Sequence, residues 1–478
     1  MLTFKIIEMN KIKYIVITFV ALTLWGCNDF LQIQPVSDLT AKSFWQTAND
    51  ANTGLAAIYY SFSRAIGQSS NSGPNLWTMG ELAGDNFYYN NPFSAAYQIQ
   101  ITQNNIVYDN PDCDWLYLYQ TIGRANAAIK YIPGITMSST DRNRLLASAY
   151  TLRAWSYFYL VRVWGDVPLT LQPFESSSDS LYLRRTKKES ICNSIIQDLS
   201  QADLLITGST FVDKKYVTNM LIYTLEMDVY AWTHQYDLVE KVMIEKVNPL
   251  VASNSTKWGL GFTTSSGFSA NWRSMFLETP KVAGTALPKE IIFSMNYNRL
   301  ENGTNACQSM FITSGSNAVY FTSGLLAGYL PADLRLAASG NTYMSKKFTP
   351  DGQAYSVSNQ DNDLVLYRFA DVQLLYAEAL CMQSKISQAV VALNVTRVRS
   401  GLTPYIDSDF VGPTDLLNAI LLERRLEFVG EGKRWFDLIR TNTYPRIGNS
   451  TDDPNSVYFP INKNRVLQNQ NLLLPPID

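Results

Sequence analysis

Residues 142–169 read RNRLLASAYTLRAWSYFYLVRVWGDVPL, and the fold turns on how this stretch is read. Arg142 to Trp164 predicts a long helix. Gly165 is a natural C-terminal breaker, and Pro168 follows too closely for the helix to resume. Further helices are expected on both sides. Asn49 to Phe62 places Leu55, Ile58, Tyr59 and Phe62 on one face. Trp115, Tyr119, Ile122 and Ala125-Asn126 recur at helical spacing, which makes Trp115, like Trp164, a core residue. Lys187–Leu205 and Tyr216–Val247 follow. After a gap come Asp363–Gln383, Ile386–Ser400 and Thr414–Arg440. In the first of these, Val365, Phe369, Val372, Tyr376 and Ala379 form a buried stripe.

Two segments break the helical period. Residues 67–112 are polar, Gly/Asn-rich and aromatic, and read as loop. Residues 248–360 are rich in Gly, Ser, Thr and Asn and carry β-like pieces such as Glu290–Met295. The fold expected is therefore mostly α: a tetratricopeptide-like scaffold of helix pairs with an irregular, loop-rich insert carrying short β pieces. Ala154 and Phe158 match part of the tetratricopeptide pattern, although no clean 34-residue period recurs. A helix pair of this kind cannot bury its apolar face alone. Stacking supplies the core and leaves one broad surface for a partner.

Composition removes several function classes. The chain has 478 residues, 46% hydrophobic and 17% charged, as suits a folded core, and its net charge of −2 offers no footprint for nucleic acid. The five cysteines, Cys27, Cys113, Cys192, Cys307 and Cys381, form no CxxC pair, and His234 is the single histidine. A zinc site has almost no ligands to draw on, and any Ser–His or Cys–His chemistry would have to pass through His234. No cofactor is implied; a calcium ion on loop carboxylates is left open. The 28 tyrosines and 10 tryptophans exceed what core packing alone asks for.

The N-terminus carries a separate signal. Lys11 and Lys13 precede Tyr14–Gly26, an uncharged apolar run too short to span a bilayer but suited to the core of a signal peptide. It ends Leu24-Trp25-Gly26-Cys27, which resembles a bacterial lipobox. The expectation is cleavage before Cys27 and acylation at that residue, with more than one chain for stable anchoring. Met9 offers an alternative start. The organisation predicted is a signal peptide over 1–26, a lipidated tether over 27–48 and a single domain over 49–478, with helical blocks at about 49–247 and 363–440 around the insert.

Five segments, in order, resemble the SusD/RagB family of Bacteroidetes surface lipoproteins. They are Trp115-x3-Tyr119-x2-Ile122-x2-Ala125-Asn126; Leu152-Arg153-Ala154 through Trp164-Gly165-Asp166-Val167-Pro168-Leu169; Tyr367-Arg368-Phe369-Ala370-Asp371 through Ala377-Glu378-Ala379; Leu393-Asn394-x2-Arg397-x-Arg399-x-Gly401-Leu402; and Glu423-Arg424-Arg425-x-Glu427-Phe428-x3-Gly432-x-Arg434-Trp435-Phe436-Asp437-Leu438-x-Arg440. The tail resembles the family ending too, with Gln470 where proline is usual. The alternating charges of the last segment suit i,i+3 and i,i+4 pairing, and an arginine fork to Asp371 or Glu378. An acid/base pair of Glu423 with Glu427 is disfavoured, because the flanking arginines favour ionised carboxylates.

The resemblance implies a non-catalytic lipoprotein on the cell surface at the outer membrane, anchored at Cys27, which captures glycan and delivers it to a SusC-like TonB-dependent transporter. It also implies that variable loops read the ligand. Aromatic faces stack on sugar C–H groups while amides and carboxylates bond hydroxyls. Two clusters qualify: Trp77, Glu81, Asp85, Asn86, Phe87, Tyr88 and Tyr89; and, in the insert, Trp258, Trp272, Arg273, Tyr297, Asn298, Tyr320 and Phe321. Trp258 and Trp272 are expected to be exposed, lying in Gly/Ser-rich stretches. Peptide capture, as in the RagB branch, is the alternative ligand reading. A lipid-anchored glycosidase would need two carboxylates roughly 5–10 Å apart, and no motif supplies them; a purely structural surface protein is a further alternative.

Overall fold

Ser138 starts the long helix and Gly165 ends it. The Ser138 hydroxyl accepts a hydrogen bond from the Asp141 N–H, and Gly165, at φ 72°, donates its own N–H to the Val161 carbonyl. In the computed structural model, which describes residues 41–67, 75–89, 96–175, 182–262, 266–276, 288–295, 297, 319–340, 346–348, 362–444 and 457–478, this helix is the centre of the molecule. From Leu145 to Trp164 only Tyr150 escapes burial. A helix covered on every side has no polar face, which is why the stretch shows no stripe. Cys27, Cys307, Asn298 and the signal segment lie outside the described residues.

Among the described residues, the helices of seven residues or more are α1 (Ala48–Gly67), α2 (Leu76–Leu82), α3 (Ala96–Thr102), α4 (Leu116–Tyr131), α5 (Ser139–Trp164), α6 (Lys188–Ile206), α7 (Asn219–Trp232), α8 (Tyr236–Val242), α9 (Phe268–Ser274), α10 (Phe369–Met382), α11 (Ile386–Arg399), α12 (Pro413–Glu427) and α13 (Arg434–Arg440). Residues Thr47–Asp478 make one body. Along it α1, α4, α5, α6, α7 and α8 each pack on the next. Helices α7 and α8 then meet α10, which packs on α11 and α12. This nearest-neighbour stacking is the logic of helical repeats, and the fold is the mostly helical, tetratricopeptide-like scaffold the sequence predicts.

One buried arginine ties three of these layers. Arg153 donates to both oxygens of Asp198 on α6, at 2.8 and 2.6 Å, and to the Asn126 carbonyl on α4 at 2.7 Å. The Asn126 amide in turn donates to the carbonyls of Thr170 and Gln172. Asp166, in the Gly-Asp-Val-Pro turn, accepts the Lys188 N–H at the start of α6. Residues of the second resembling segment are thus the fasteners of the stack.

Four element boundaries differ from the sequence reading. Tyr216–Val247 is not one helix: α7 and α8 are separated by a turn in which His234 takes φ 59° and bonds the Arg440 carbonyl at 2.8 Å, and a π-helical turn, Met243–Val247, follows α8. Asp363–Gln383 begins as a strand, because residues 364–368 are wholly buried and pair across a second strand; a run buried on both faces has no period to separate strand from helix. Thr414–Arg440 is broken by Gly430 and Gly432, both at positive φ. Within 67–112, read as loop, lie α2, a short strand and α3. Gly80 hid the first of these: a Cβ there would stand 2.1 Å from the Gly432 carbonyl oxygen, so glycine is required inside a helix.

Among the described residues, two antiparallel ribbons join the helices. Strand β1 (Phe87–Tyr89) pairs with β3 (Val319–Phe321) in the register Phe87↔Phe321, Tyr88↔Tyr320, Tyr89↔Val319. Strand β2 (Ile291–Met295) pairs with β4 (Leu364–Arg368), with a register shift near Phe293. In each ribbon one strand comes from the insert, so the insert is stitched to the helical blocks through backbone pairing.

Candidate functional site

The β1–β3 ribbon is two-faced because side chains alternate along a strand. Phe87 and Phe321 point inward, both buried, with ring centroids 5.5 Å apart. Tyr88 and Tyr320 point outward as a cross-strand stacked pair, centroids 5.7 Å apart and planes 30° apart, with Tyr88 44% exposed. Tyr89 is half-buried, and its hydroxyl pKa is pushed up by burial and by the charge of Asp112. The exposed Tyr88 and the half-buried Tyr320 together form a shallow aromatic platform.

The root of the ribbon is polar and held from the far end of the chain. Arg434 grips Asp85 with a fork at 2.6 and 3.0 Å. Arg425 donates to the Asn86 side-chain carbonyl and the Asp85 main-chain carbonyl, each at 2.8 Å. The Asn86 amide donates to Glu81, whose other oxygen accepts the Gly432 N–H at 3.0 Å. Burial pushes the Asp85 carboxyl up, but the hydrogen bonds and charge of Arg434, helped by Arg425, outweigh it and hold Asp85 below the usual carboxylate range. Glu81 goes the other way: complete burial pushes it up to about 7, against the donors from Asn86, Lys433 and Gly432 and the charge of Lys347.

The structure separates the residues that the sequence put forward together. Tyr88 and Tyr320 share one surface, whereas Tyr89 falls on the other face of the strand and Asp85 lies at the root of the ribbon on Arg434. Trp77, Asn86 and Phe87 are buried at or beneath it, with Trp77 against Phe348 and the Gly432 backbone. The insert cluster does not join this surface. Trp258 is 2% exposed, with the Lys214 ammonium 4.7 Å from its ring centroid. Trp272 is fully buried in α9, between Phe268 and Phe276. Arg273, its neighbour, is half-buried, and Tyr297 is buried with its hydroxyl on the Ser63 carbonyl. The expected exposure of Trp258 and Trp272 is thus corrected: Gly/Ser-rich sequence flanks them, but each ring is a lid over buried cations.

Those cations form a core of charge. Beneath Trp272 lie Lys347, Arg368 and Arg399, 5.0, 5.1 and 5.9 Å from its ring centroid. Arg368 binds Glu290, Glu427 and Glu431; Arg399 binds Glu290 and Glu427; Arg335 binds Asp333, Glu423 and Glu427. The charges of α12 therefore pair across elements rather than along their own helix. The Arg424 fork goes mainly to Asp437, with Asp371 at 3.6 Å, and Glu378 is taken by Arg440. Burial pushes Glu427 up, yet Arg399, Arg368 and Arg335 hold it well below the carboxylate range, so it stays ionised and cannot serve as a general acid.

A second concavity is lined by Trp115, Tyr119, Phe174, Tyr182, Arg465 and Asn469. Its polar groups are already taken: Arg465 forks onto Asp114, and the Asn469 amide donates to the Leu183 carbonyl. Among the described residues no group of three His, Cys, Asp or Glu side chains is placed to hold a metal, and no helix is long and apolar enough to cross a membrane. Sequence reasoning missed Arg425 and Arg434 as partners of the aromatic loop. The separation of more than 330 positions leaves no local signal for such a pairing.

The fold matches that of solved SusD superfamily proteins. A SusD superfamily protein from Bacteroides thetaiotaomicron superposes with a TM-score of 0.72 at 19% identity, covering 90% of this chain and 98% of that one. The surface glycan-binding protein A of Bacteroides uniformis does so with a TM-score of 0.69 at 20% identity, covering 89% and 99%. The model of the SusD family matches residues 331–473, and a second model, described as starch-binding and associating with the outer membrane, matches residues 29–220. SusD-like protein P38 of Formosa agariphila is 28% identical over 91% of this chain and 92% of its own length, and a SusD-like protein of Bacteroides ovatus is 24% identical over 90% and 82%. The chain belongs to the SusD-like family.

Proposed function

We propose that this chain is a non-catalytic glycan-binding lipoprotein of the outer-membrane surface, and that it captures oligosaccharide on the Tyr88–Tyr320 platform. The observation that carries the reading is that stacked pair. Tyr88, the exposed member, offers an aromatic surface to the C–H groups of a sugar, with the half-buried Tyr320 stacked against it as backing. The family models, one described as starch-binding, and the named glycan-binding relative of the same fold support a glycan, a glucan first among them.

Binding without turnover agrees with the carboxylates. Glu427 is locked ionised in the core. Glu81, whose raised pKa would suit an acid, is fully buried and accepts from the Gly432 and Lys433 N–H groups, so it does not reach a ligand on the surface. Delivery to a SusC-like TonB-dependent transporter, and anchoring through Cys27, complete the reading.

Calorimetry against a glycan panel and a peptide panel tests it. Binding to a glycan, weakened by Tyr88→Ala, is the expected result; release of shortened products, or binding confined to peptides, overturns it. Cys27→Ala is expected to move the protein from the membrane to the soluble fraction.

A further inference from the structure

The signature segment Glu423–Arg440 does two jobs, and neighbouring residues are divided between them. Arg424 turns into the helical body toward Asp437. Arg425, one position on, turns out to the ribbon and contacts the segments that flank both of its strands at the same end. On the β1 side it donates to the Asn86 side-chain carbonyl and the Asp85 main-chain carbonyl, both at 2.8 Å. On the β3 side it donates to the Gly324 carbonyl at 3.3 Å. Because the strands are antiparallel, the residues before Phe87 and those after Phe321 lie at one root. Thr322 closes that root directly, its N–H donating to the Asn86 carbonyl at 2.9 Å and its hydroxyl to the Asp85 carbonyl at 2.7 Å.

A ribbon with three paired residues per strand has little rigidity of its own, since isolated two-stranded hairpins are marginal in water. Its pose must come from its root. We propose that Arg425 is the positioning residue of the aromatic platform: by bracketing the segments that flank both strands with one planar guanidinium it fixes the ribbon to α12 and so sets the mutual placement of Tyr88 and Tyr320. The inference rests on the platform being the ligand surface, but the positioning itself does not need a ligand to be seen. Arginine suits the task because its donors lie in a rigid fork, whereas lysine reaches as a single point. The fold does not depend on the contact in the same way, because the bidentate Arg434 continues to neutralise Asp85 when Arg425 is replaced.

The test compares wild type, Arg425→Gln and Arg425→Lys in the full chain by amide hydrogen exchange and thermal melting. For Arg425→Gln, exchange at residues 87–89 and 319–321 is expected to quicken about tenfold or more while α5 amides and the melting temperature stay within about 2 °C-equivalent of wild type. Arg425→Lys is expected to fall between the two. Ribbon exchange equal to wild type overturns the proposal, as does acceleration spread evenly over the whole body with a large fall in melting temperature. A second arm measures retardation in gels containing soluble starch. Where wild type is retarded, Arg425→Gln is expected to weaken retention about fivefold and to cost nothing more in a Tyr88→Ala background; equal losses in both backgrounds overturn positioning. Absence of retardation for wild type counts against the glucan reading alone, and the exchange data then decide the role of Arg425.

Discussion

Two aromatic and charged assemblies in this molecule have nearly the same composition and opposite fates. Around Trp272, three cations and three glutamates are sealed from water. Around Tyr88 and Tyr320, two arginines and one aspartate hold an aromatic pair that water reaches. Both draw on the same stretch of chain, residues 423–440. The contrast teaches that aromatic residues interleaved with charge do not by themselves mark a ligand surface. What separates the two is whether each polar group finds all its partners within the body, as Arg368 does, or whether an aromatic face is left with solvent on one side.

The comparison can be broken most sharply at Arg368. Replacing it with alanine takes from Glu431 its main partner and from Glu427 one of three arginines, and removing one member of a buried ion network costs about 3–5 kcal/mol. Denaturant unfolding is expected to show that loss or an unfolded product; a change below about 1 kcal/mol would mean the network is hydrated. Trp272→Ala is expected to cost a similar amount, about 3–5 kcal/mol, through the cavity and the uncovered cations. It should leave glycan affinity unchanged in protein that remains folded. Lost affinity at unchanged stability would return Trp272 to the ligand surface.

Glu81 lies between the two assemblies and offers a pH test. Its folded pKa, about 7, stands above the ordinary 4.5, so the folded chain holds the extra proton. The stability it contributes is therefore fully present below about pH 4.5 and is lost as pH rises through 7, by about 3 kcal/mol in total. In Glu81→Gln that component is absent. The stability of wild type relative to the variant is expected to fall between pH 4.5 and 7.5, as followed by melting at several pH values; a constant difference would show that Glu81 titrates normally. The smallest effect belongs to the platform. Tyr88→Ala is expected to weaken glycan binding by about 0.5–1.5 kcal/mol, up to roughly tenfold, with stability unchanged within about 0.5 kcal/mol. A large fall in melting temperature would make Tyr88 a core residue instead.

Much of the scaffold was legible from local signals. Trp164-Gly165 ended the central helix where the structure ends it, and the spacing of Trp115, Tyr119 and Ile122 placed α4. The site was legible only in part. The loop carrying Asp85 to Tyr89 was singled out from its composition, and the exposed Tyr88 does stack on Tyr320. Trp77 and Phe87 looked the same in sequence and are buried, since the alternation of a three-residue strand or a seven-residue helix is too short to assign a face. Trp272 misled for another reason: the arginines and the lysine that it covers come from residues 347, 368 and 399, none of them near it in the chain.

By itself the sequence determined what depends on neighbours along the chain: where helices run and stop, which segments are irregular, and the run of motifs that places the chain in its family. Only the tertiary structure decided which aromatics face water and which charges meet. Exposure and ion pairing are set by contacts between residues hundreds of positions apart, such as Asp85 with Arg434, and no local pattern encodes a distance of that kind.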